Sequence, residues 1–139
     1  MSDVLQAEHD RLRAMMHECA SHMRLPDPCE MAGLARRRAA FAQLFRAHIA
    51  RIDRDVAAMR REIAMTGQGD LVDHHARNMR DIFLAYSAHI NHWTLDNVAS
   101  GWAAYCAEAL DMHRHYHAQL DWERSVLYPL LASCRRSAA

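Results

Sequence analysis

The chain has 139 residues, 51% of them hydrophobic and 24% charged, which predicts one globular domain and disfavours disorder. Only four glycines and three prolines occur, too few for the many turns of an all-β protein. All 17 basic residues are Arg and they balance 17 acidic residues, and this zero net charge disfavours a nucleic-acid partner.

Compartment and membrane contact can also be predicted from composition. No apolar stretch is long enough for a transmembrane helix, so no membrane partner is expected, and the N-terminus lacks the pattern of a secretory signal. The four cysteines have no CxxC spacing, which favours reduced thiols in a cytoplasmic protein. These cysteines are Cys19, Cys29, Cys106 and Cys134.

Proline and glycine divide the chain into four predicted helices, at about 2–25, 29–65, 71–95 and 101–134. The breaks fall at 25–28, 66–70 and 96–101. Each helix carries an apolar stripe in steps of three and four residues, the spacing of a bundle seam. Because short connections join long helices, neighbouring helices should be antiparallel. The expected fold is all-α: one domain, 1–139, forming an up-down-up-down four-helix bundle.

Four polar residues interrupt these stripes where apolar residues are expected. His9, His48, His75 and Glu123 come one from each helix, and counting along the helices at 1.5 Å per residue places them near the same end of the bundle. A buried carboxylate beside imidazoles needs neutralisation, which a divalent metal supplies. Three nitrogens and one oxygen suit iron, with zinc or manganese as less favoured choices.

Four sequence segments resemble the hemerythrin-like family, whose members are called HHE cation-binding domains. The first helix contains EHDRLR at 8–13, and the second contains FAQLFRAH at 41–48. The third begins with DHH at 73–75, and the fourth contains ERSVLYPLL at 123–131. The resemblance spans almost the whole chain. It implies a di-iron site with ligands from all four helices, of which His9, His48, His75 and Glu123 are present here.

Two family ligand positions are replaced. Ile52 stands where the first HxxxE motif has its Glu, and Gln119 stands where the second motif has its His. Three outcomes stay open: one metal, which is favoured, held by His9, His48, His75 and Glu123; two metals; or no metal, with the polar residues hydrogen-bonded to one another. Substitute ligands for a second metal would be Asp53, His74, His115 or Asp121.

Three further features each allow two interpretations. His89 and His113 form a second polar pair about 15–20 Å along the axis, with Cys19 nearby, and are either a second ligand cluster or satisfied core histidines. Tyr116 either packs or hydrogen-bonds a ligand. His117 and Asp121 are spaced i, i+4, and they are either a pair of metal ligands or a solvated pair on the helix surface.

The family resemblance implies an iron-binding module that binds or senses dioxygen, nitric oxide or peroxide. A metal-free structural or interaction module, with a protein partner or a second copy of the chain, is the closest alternative. An iron-dependent oxidase, peroxidase or iron-repair factor is the third.

Overall fold

The computed structural model describes residues 3–28 and 30–138, and all regular structure in these ranges is helical, which confirms the all-α class. The elements are α1 (Asp3–His22), α2 (Met31–Ala58), α3 (Arg60–Met65), α4 (Gly69–His92), α5 (Leu95–Ser100), α6 (Trp102–Trp122), a π-helical turn (Glu123–Leu127) and α7 (Tyr128–Ala138). Cys29, predicted as a free thiol, lies outside the described residues. Cys19, Cys106 and Cys134 are free thiols. None of the described helices is both long and apolar enough to span a bilayer.

Helix boundaries differ from the prediction in two places. The predicted helix 29–65 is interrupted at Met59, so that α2 and α3 are separate helices. The predicted break at 96–101 contains the short helix α5, because the Thr94 side chain accepts a hydrogen bond from the Asn97 amide and caps it. The break after α3 is at Gly67, whose φ of 73° lies in the left-handed region that favours glycine.

Contacts between the long helices pair low residue numbers on one helix with high numbers on the other. α1 packs on α2 and on α6, and α4 packs on α6. Such contacts show that each of these pairs runs antiparallel. The contacts are Arg51 to Glu8 and Arg37 to Cys19 for α1 and α2, Arg13 to His117 and Trp102 to Leu25 for α1 and α6, and His75 to Gln119 and His89 to Glu108 for α4 and α6.

Two apolar clusters enclose the predicted site. One, near α3 and α7, includes Leu5, Ile52 and Leu127. The other, in the middle of the helices, includes Leu12, Phe45 and Leu120. In α1, in α2 and at the junction of α6 with the π-helical turn, one polar residue that is only 1% exposed lies between a member of each cluster. These residues are His9 in α1, His48 in α2 and Glu123 at the start of the π-helical turn.

Candidate metal centre

Three of the four predicted ligands converge. His9 Nε2 and His48 Nε2 each lie 3.2 Å from Glu123 Oε2. All three residues are 1% exposed. One ligand atom from each lies within 4.8 Å of the other two, and no other such group of three or more His, Cys, Asp or Glu residues occurs in the described part of the chain. Two imidazoles from two helices therefore face one carboxylate from a third element.

The second oxygen of this carboxylate shows that the group suits a cation. Glu123 Oε1 is buried and has no hydrogen-bond partner in the structure. An unpartnered buried carboxylate oxygen is costly, and a metal ion is one group that would satisfy it. Two imidazole nitrogens and a carboxylate oxygen are a donor set that iron, zinc and manganese accept. The residues present therefore fit a divalent metal.

An outer carboxylate orients His48. Its Nδ1 lies 3.2 Å from Glu8 Oε1, and Arg51 Nε in turn donates to both Glu8 oxygens at 3.2 Å. In the neutral ring that a metal ion requires, Nδ1–H would donate to Glu8 and the lone pair would be on Nε2, the nitrogen that faces Glu123. Metal-binding histidines commonly have this outer hydrogen bond to a carboxylate. Neither Glu8 nor Arg51 was predicted as a site residue, although Glu8 lies in the EHDRLR segment at 8–13.

Burial and hydrogen bonding act in opposite directions on these groups. Burial alone would raise the pKa of Glu123, but hydrogen bonds from His48 and His9 outweigh it and lower that pKa to about 2. Burial would lower the pKa of His48, but the hydrogen bond and the charge of Glu123, with a further contribution from Glu8, raise it. The cluster without metal therefore favours an ionised Glu123.

Tyr128 is a fourth polar group at the centre that sequence analysis did not assign. Its Oη lies 2.7 Å from His9 Nε2 and 3.4 Å from His48 Nε2, and it donates to Glu123 Oε2 at 3.5 Å. Tyr128 is 2% exposed. Burial, followed by the charge of Glu123, raises its pKa, so the phenol is protonated in the metal-free protein. Tyr128 therefore adds one oxygen to the donor set.

The π-helical turn explains why Tyr128 lies beside Glu123. The Tyr128 amide donates to the Glu123 carbonyl oxygen, an i to i+5 bond that brings residues five apart onto one face. Pro129 follows directly, and it lacks an amide hydrogen and clashes with the carbonyl four residues before it, which promotes such a widening. The signal in the sequence was this proline inside an apolar helical stripe.

The fourth predicted ligand, His75, is buried but lies outside the converging group. Its Nδ1 accepts a hydrogen bond of 3.1 Å from Gln119 Nε2, and its ring stacks on Trp122 with centroids 5.7 Å apart. Asn78 donates to the Gln119 oxygen. Burial lowers the pKa of His75, partly offset by the charge of Glu123. Gln119 therefore belongs to a hydrogen-bond network where the family has a ligand.

The replaced and substitute positions do not supply further ligands. Ile52 is 1% exposed in the apolar cluster of Leu5 and Leu127. The four substitute residues Asp53, His74, His115 and Asp121 are exposed. Arg13 bridges Asp121 and His117, so the pair spaced i, i+4 belongs to a surface network.

The second polar pair forms no metal cluster among the described residues. His89 Nδ1 lies 2.7 Å from Glu108 Oε2, and the same oxygen accepts the indole N–H of Trp93. His113 is half-buried, and burial lowers its pKa to about 4. His89 is therefore a satisfied core histidine, and Glu108 is the partner that sequence analysis missed. Cys19 lies beside both residues in the same cavity lining, as predicted.

A small apolar cavity adjoins the centre. His48 and Glu123 form part of its lining, together with Leu12, Met16 and Phe45. The centre of a water-sized molecule can occupy about 10 Å³ of it, roughly what one such molecule requires. His48 and Glu123 therefore face a space about the size of one water molecule.

Residues 1–59 match the model of a family described as the hemerythrin HHE cation-binding domain. The matched range contains α1, α2, His9 and His48, and it ends before Glu123. This match supports a hemerythrin-like assignment. No curated protein and no solved structure matches the chain.

Proposed function

We propose that this hemerythrin-like chain holds one iron ion through His9, His48 and Glu123 and binds or senses dioxygen, nitric oxide or peroxide there. The observation that carries the proposal is the convergence of two buried imidazoles on a buried carboxylate whose second oxygen has no partner. Iron is chosen over zinc and manganese because mixed imidazole and carboxylate donors with an open position suit it. Bound iron would supply that open coordination position.

His75 Nδ1 accepts a hydrogen bond from Gln119, so the neutral ring carries its proton on Nε2 and offers no lone pair to a metal there. The proposed ligands are therefore His9, His48 and Glu123, and His75 belongs to the neighbouring hydrogen-bond network. The burial of Ile52 among hydrocarbon and the hydrogen bonds of Gln119 favour one metal ion over two. Because Gln119 and Ile52 stand at family ligand positions, a second ion would lack a strong ligand from each motif. Mononuclear iron is therefore the proposed state.

The chain's own residues have separate roles in this proposal. Glu8, held by Arg51, keeps the proton of His48 on Nδ1 and directs Nε2 to the centre. Glu123 balances the charge of the cation. Tyr128 Oη, next to His9, is placed to donate a hydrogen bond to a small ligand or to serve as a further oxygen donor. The apolar residues of the small cavity exclude water and accommodate a nonpolar diatomic molecule.

The proposed architecture is a single domain, 1–139, with four antiparallel rods in up-down-up-down order. The rods are α1, then α2 with α3, then α4, and finally α6 with the π-helical turn and α7. The antiparallel contacts of α1 with α2, α1 with α6 and α4 with α6 support this order. We also propose that the protein works in the cytoplasm, where its free thiols would stay reduced.

The test is elemental analysis of protein purified without a chelating tag. We expect about one iron per chain, loss of that iron in His48→Ala and Glu123→Gln, and no loss in the control His115→Ala, whose side chain is exposed. The visible spectrum of the ferrous protein should change on exposure to dioxygen or nitric oxide. Two iron ions per chain would contradict the mononuclear site, and none after ferrous reconstitution would favour the metal-free interaction module.

A further inference from the structure

A second, larger cavity lies at the opposite end of the long helices. It is lined by parts of α1, α2, α4 and α6 that are distant from the candidate metal centre. The centre of a water-sized molecule can occupy about 50 Å³ of it, against about 10 Å³ in the small apolar cavity. Cys19 in its lining is ten residues from His9 along α1, which corresponds to about 15 Å. This cavity therefore extends away from the metal centre and has room for a ligand of several atoms, and Phe41 and Tyr116 form a wall that it shares with the small apolar cavity.

The lining of this cavity favours an anion. It contains Arg37 and Arg38 and no Asp or Glu, and the carboxylate of Glu108 is paired with the lining residue His89 at 2.7 Å. Among the residues that the structure describes, neither guanidinium forms an ion pair with a carboxylate. Glu30 pairs with Arg36 at 3.2 Å, and Arg38 donates to the Trp93 carbonyl oxygen at 2.6 Å. Arg37 contacts the Cys19 thiol, which also lines the cavity, and its Nε has no hydrogen-bond partner, so it is the arginine of the lining that can bind an anionic group.

Two polar atoms of the lining residues lack partners. Arg37 Nε and Tyr116 Oη are buried and form no hydrogen bond in the structure. Tyr116 is 5% exposed, so solvent does not compensate its hydroxyl group. Buried donors without partners are rare in folded proteins because they are costly. Both atoms belong to residues that line the same cavity, and a ligand with oxygen acceptors would satisfy them.

The rest of the wall is aromatic. Phe41 stacks on Tyr116 with ring centroids 5.8 Å apart, and Trp102 stacks on Tyr105 at 5.8 Å. Tyr86 completes the aromatic part of the lining. Aromatic side chains favour an aromatic ring as their partner, in stacked or edge-to-face geometry. Acetate, which has no ring, would leave this surface without contact.

We propose that this cavity binds a small aromatic monocarboxylate. The carboxylate accepts hydrogen bonds from Arg37, and the ring packs against Phe41, Tyr86 and Tyr116. A planar guanidinium is well suited to a carboxylate because it offers several donors in a fixed arrangement. None of these residues is a proposed metal ligand, although Phe41 and Tyr116 also line the small apolar cavity beside the metal centre.

Benzoate is the probe that tests this proposal, with its neutral isostere benzamide and with acetate as comparisons. Isothermal titration calorimetry should give a millimolar or tighter dissociation constant for benzoate and at least about tenfold weaker binding of benzamide and acetate. In proton–nitrogen NMR spectra, benzoate should shift the indole N–H signal of Trp102, which lines the cavity. The indole of Trp122, beside His75, should not move.

Matched variants locate the site. Arg37→Gln should weaken benzoate binding at least about tenfold, whereas Arg36→Gln, which changes the exposed neighbouring arginine, should not. Tyr116→Phe keeps the ring, removes only the unpaired hydroxyl and should weaken binding a few-fold in a folded protein. Glu123→Gln should leave the affinity unchanged, which separates this cavity from the metal centre.

Four results would overturn the proposal. They are no detectable benzoate binding, equal affinity for benzamide, wild-type affinity in both Arg37→Gln and Tyr116→Phe, and loss of binding in Glu123→Gln. The last result would assign benzoate to the metal centre. Iron content is not a readout in these titrations, so failure here leaves the metal proposal intact and failure of the metal proposal leaves this one intact.

Discussion

Replacing Ile52 by Glu would restore a carboxylate at the position where the family has a ligand, and the structure allows its consequence to be calculated. Ile52 is 1% exposed among Leu5, Leu127 and Tyr128. Losing its buried hydrocarbon costs roughly 1.5–3 kcal/mol. Keeping the buried carboxyl protonated at pH 7 costs about 1.4 kcal/mol for each unit between pH 7 and its ordinary pKa near 4.3, or roughly 4 kcal/mol. The total, about 5–7 kcal/mol, rivals the stability of a small domain.

Iron should reverse much of this loss if Ile52 faces the metal centre. A metal present at a thousandfold excess over its dissociation constant stabilises the folded state by about 4 kcal/mol. We therefore expect Ile52→Glu to unfold at much lower urea concentration in the presence of chelator and to recover when ferrous iron is added anaerobically. Circular dichroism follows the unfolding, and elemental analysis of Ile52→Glu combined with Gln119→His should show iron content rising from about one to about two per chain.

The matched control is Ile63→Glu. Ile63 is 4% exposed and belongs to the same apolar cluster, but it lies on α3 and outside the converging group. The Ile63→Glu variant should be destabilised to a similar extent, and iron should raise its stability in urea no more than it raises that of wild type. The reasoning is refuted when iron affects the two variants equally, because the carboxylate of Ile52→Glu would then not reach the metal.

Three further predictions concern other residues. Glu8→Gln should weaken iron affinity about 10–100-fold with the fold intact, because His48 loses its orienting carboxylate. Competition with a coloured chelator measures the affinity, and an unchanged affinity would contradict this prediction. Tyr128→Phe should lower the free energy of unfolding of metal-free protein by about 1–2 kcal/mol, as measured in urea, and an unchanged midpoint would count against the contact with His9. Burial lowers the pKa of His113 to about 4. Below pH 6.5 the unfolded state therefore binds a proton at this histidine that the folded state does not bind. As the pH falls from 6.5 to 5, this difference should lower the free energy of unfolding of wild type by up to about 2 kcal/mol. His113→Gln should lack that part of the pH dependence, and parallel curves for the two proteins would refute the assignment.

Much of the fold could be predicted because it depends on local signals. Pro28, Gly67 and Gly101 interrupt the helices close to where they were expected to, and the stripe residues His9, His48 and Glu123 are buried as their spacing predicted. The helix α5 was missed because its cap, Thr94, is a single hydroxyl in a segment rich in turn-forming residues.

The partners of the site residues could not be predicted in the same way. Glu8 and Glu108 are acidic residues on helices, and only the packing of neighbouring helices brings them to His48 and His89. The position of Tyr128 depends on the π-helical turn, which changes the phase of every later residue. Counting with a uniform helical period therefore predicted the buried position of Glu123 correctly but could not predict that Tyr128, five residues later, lies beside it.

The widened turn also constrains how this stretch of chain can change length. The turn brings residues five apart onto one face, where a regular α-helix brings residues four apart. Removing one of the exposed residues Arg124 or Ser125 would therefore let an ordinary α-helical turn form and would leave Leu130, Leu131 and Cys134 facing the interior. Removing one residue from a regular part of α6 would instead rotate everything beyond it by about 100°. Loss of a single residue should thus be tolerated better at this turn than in the helix before it.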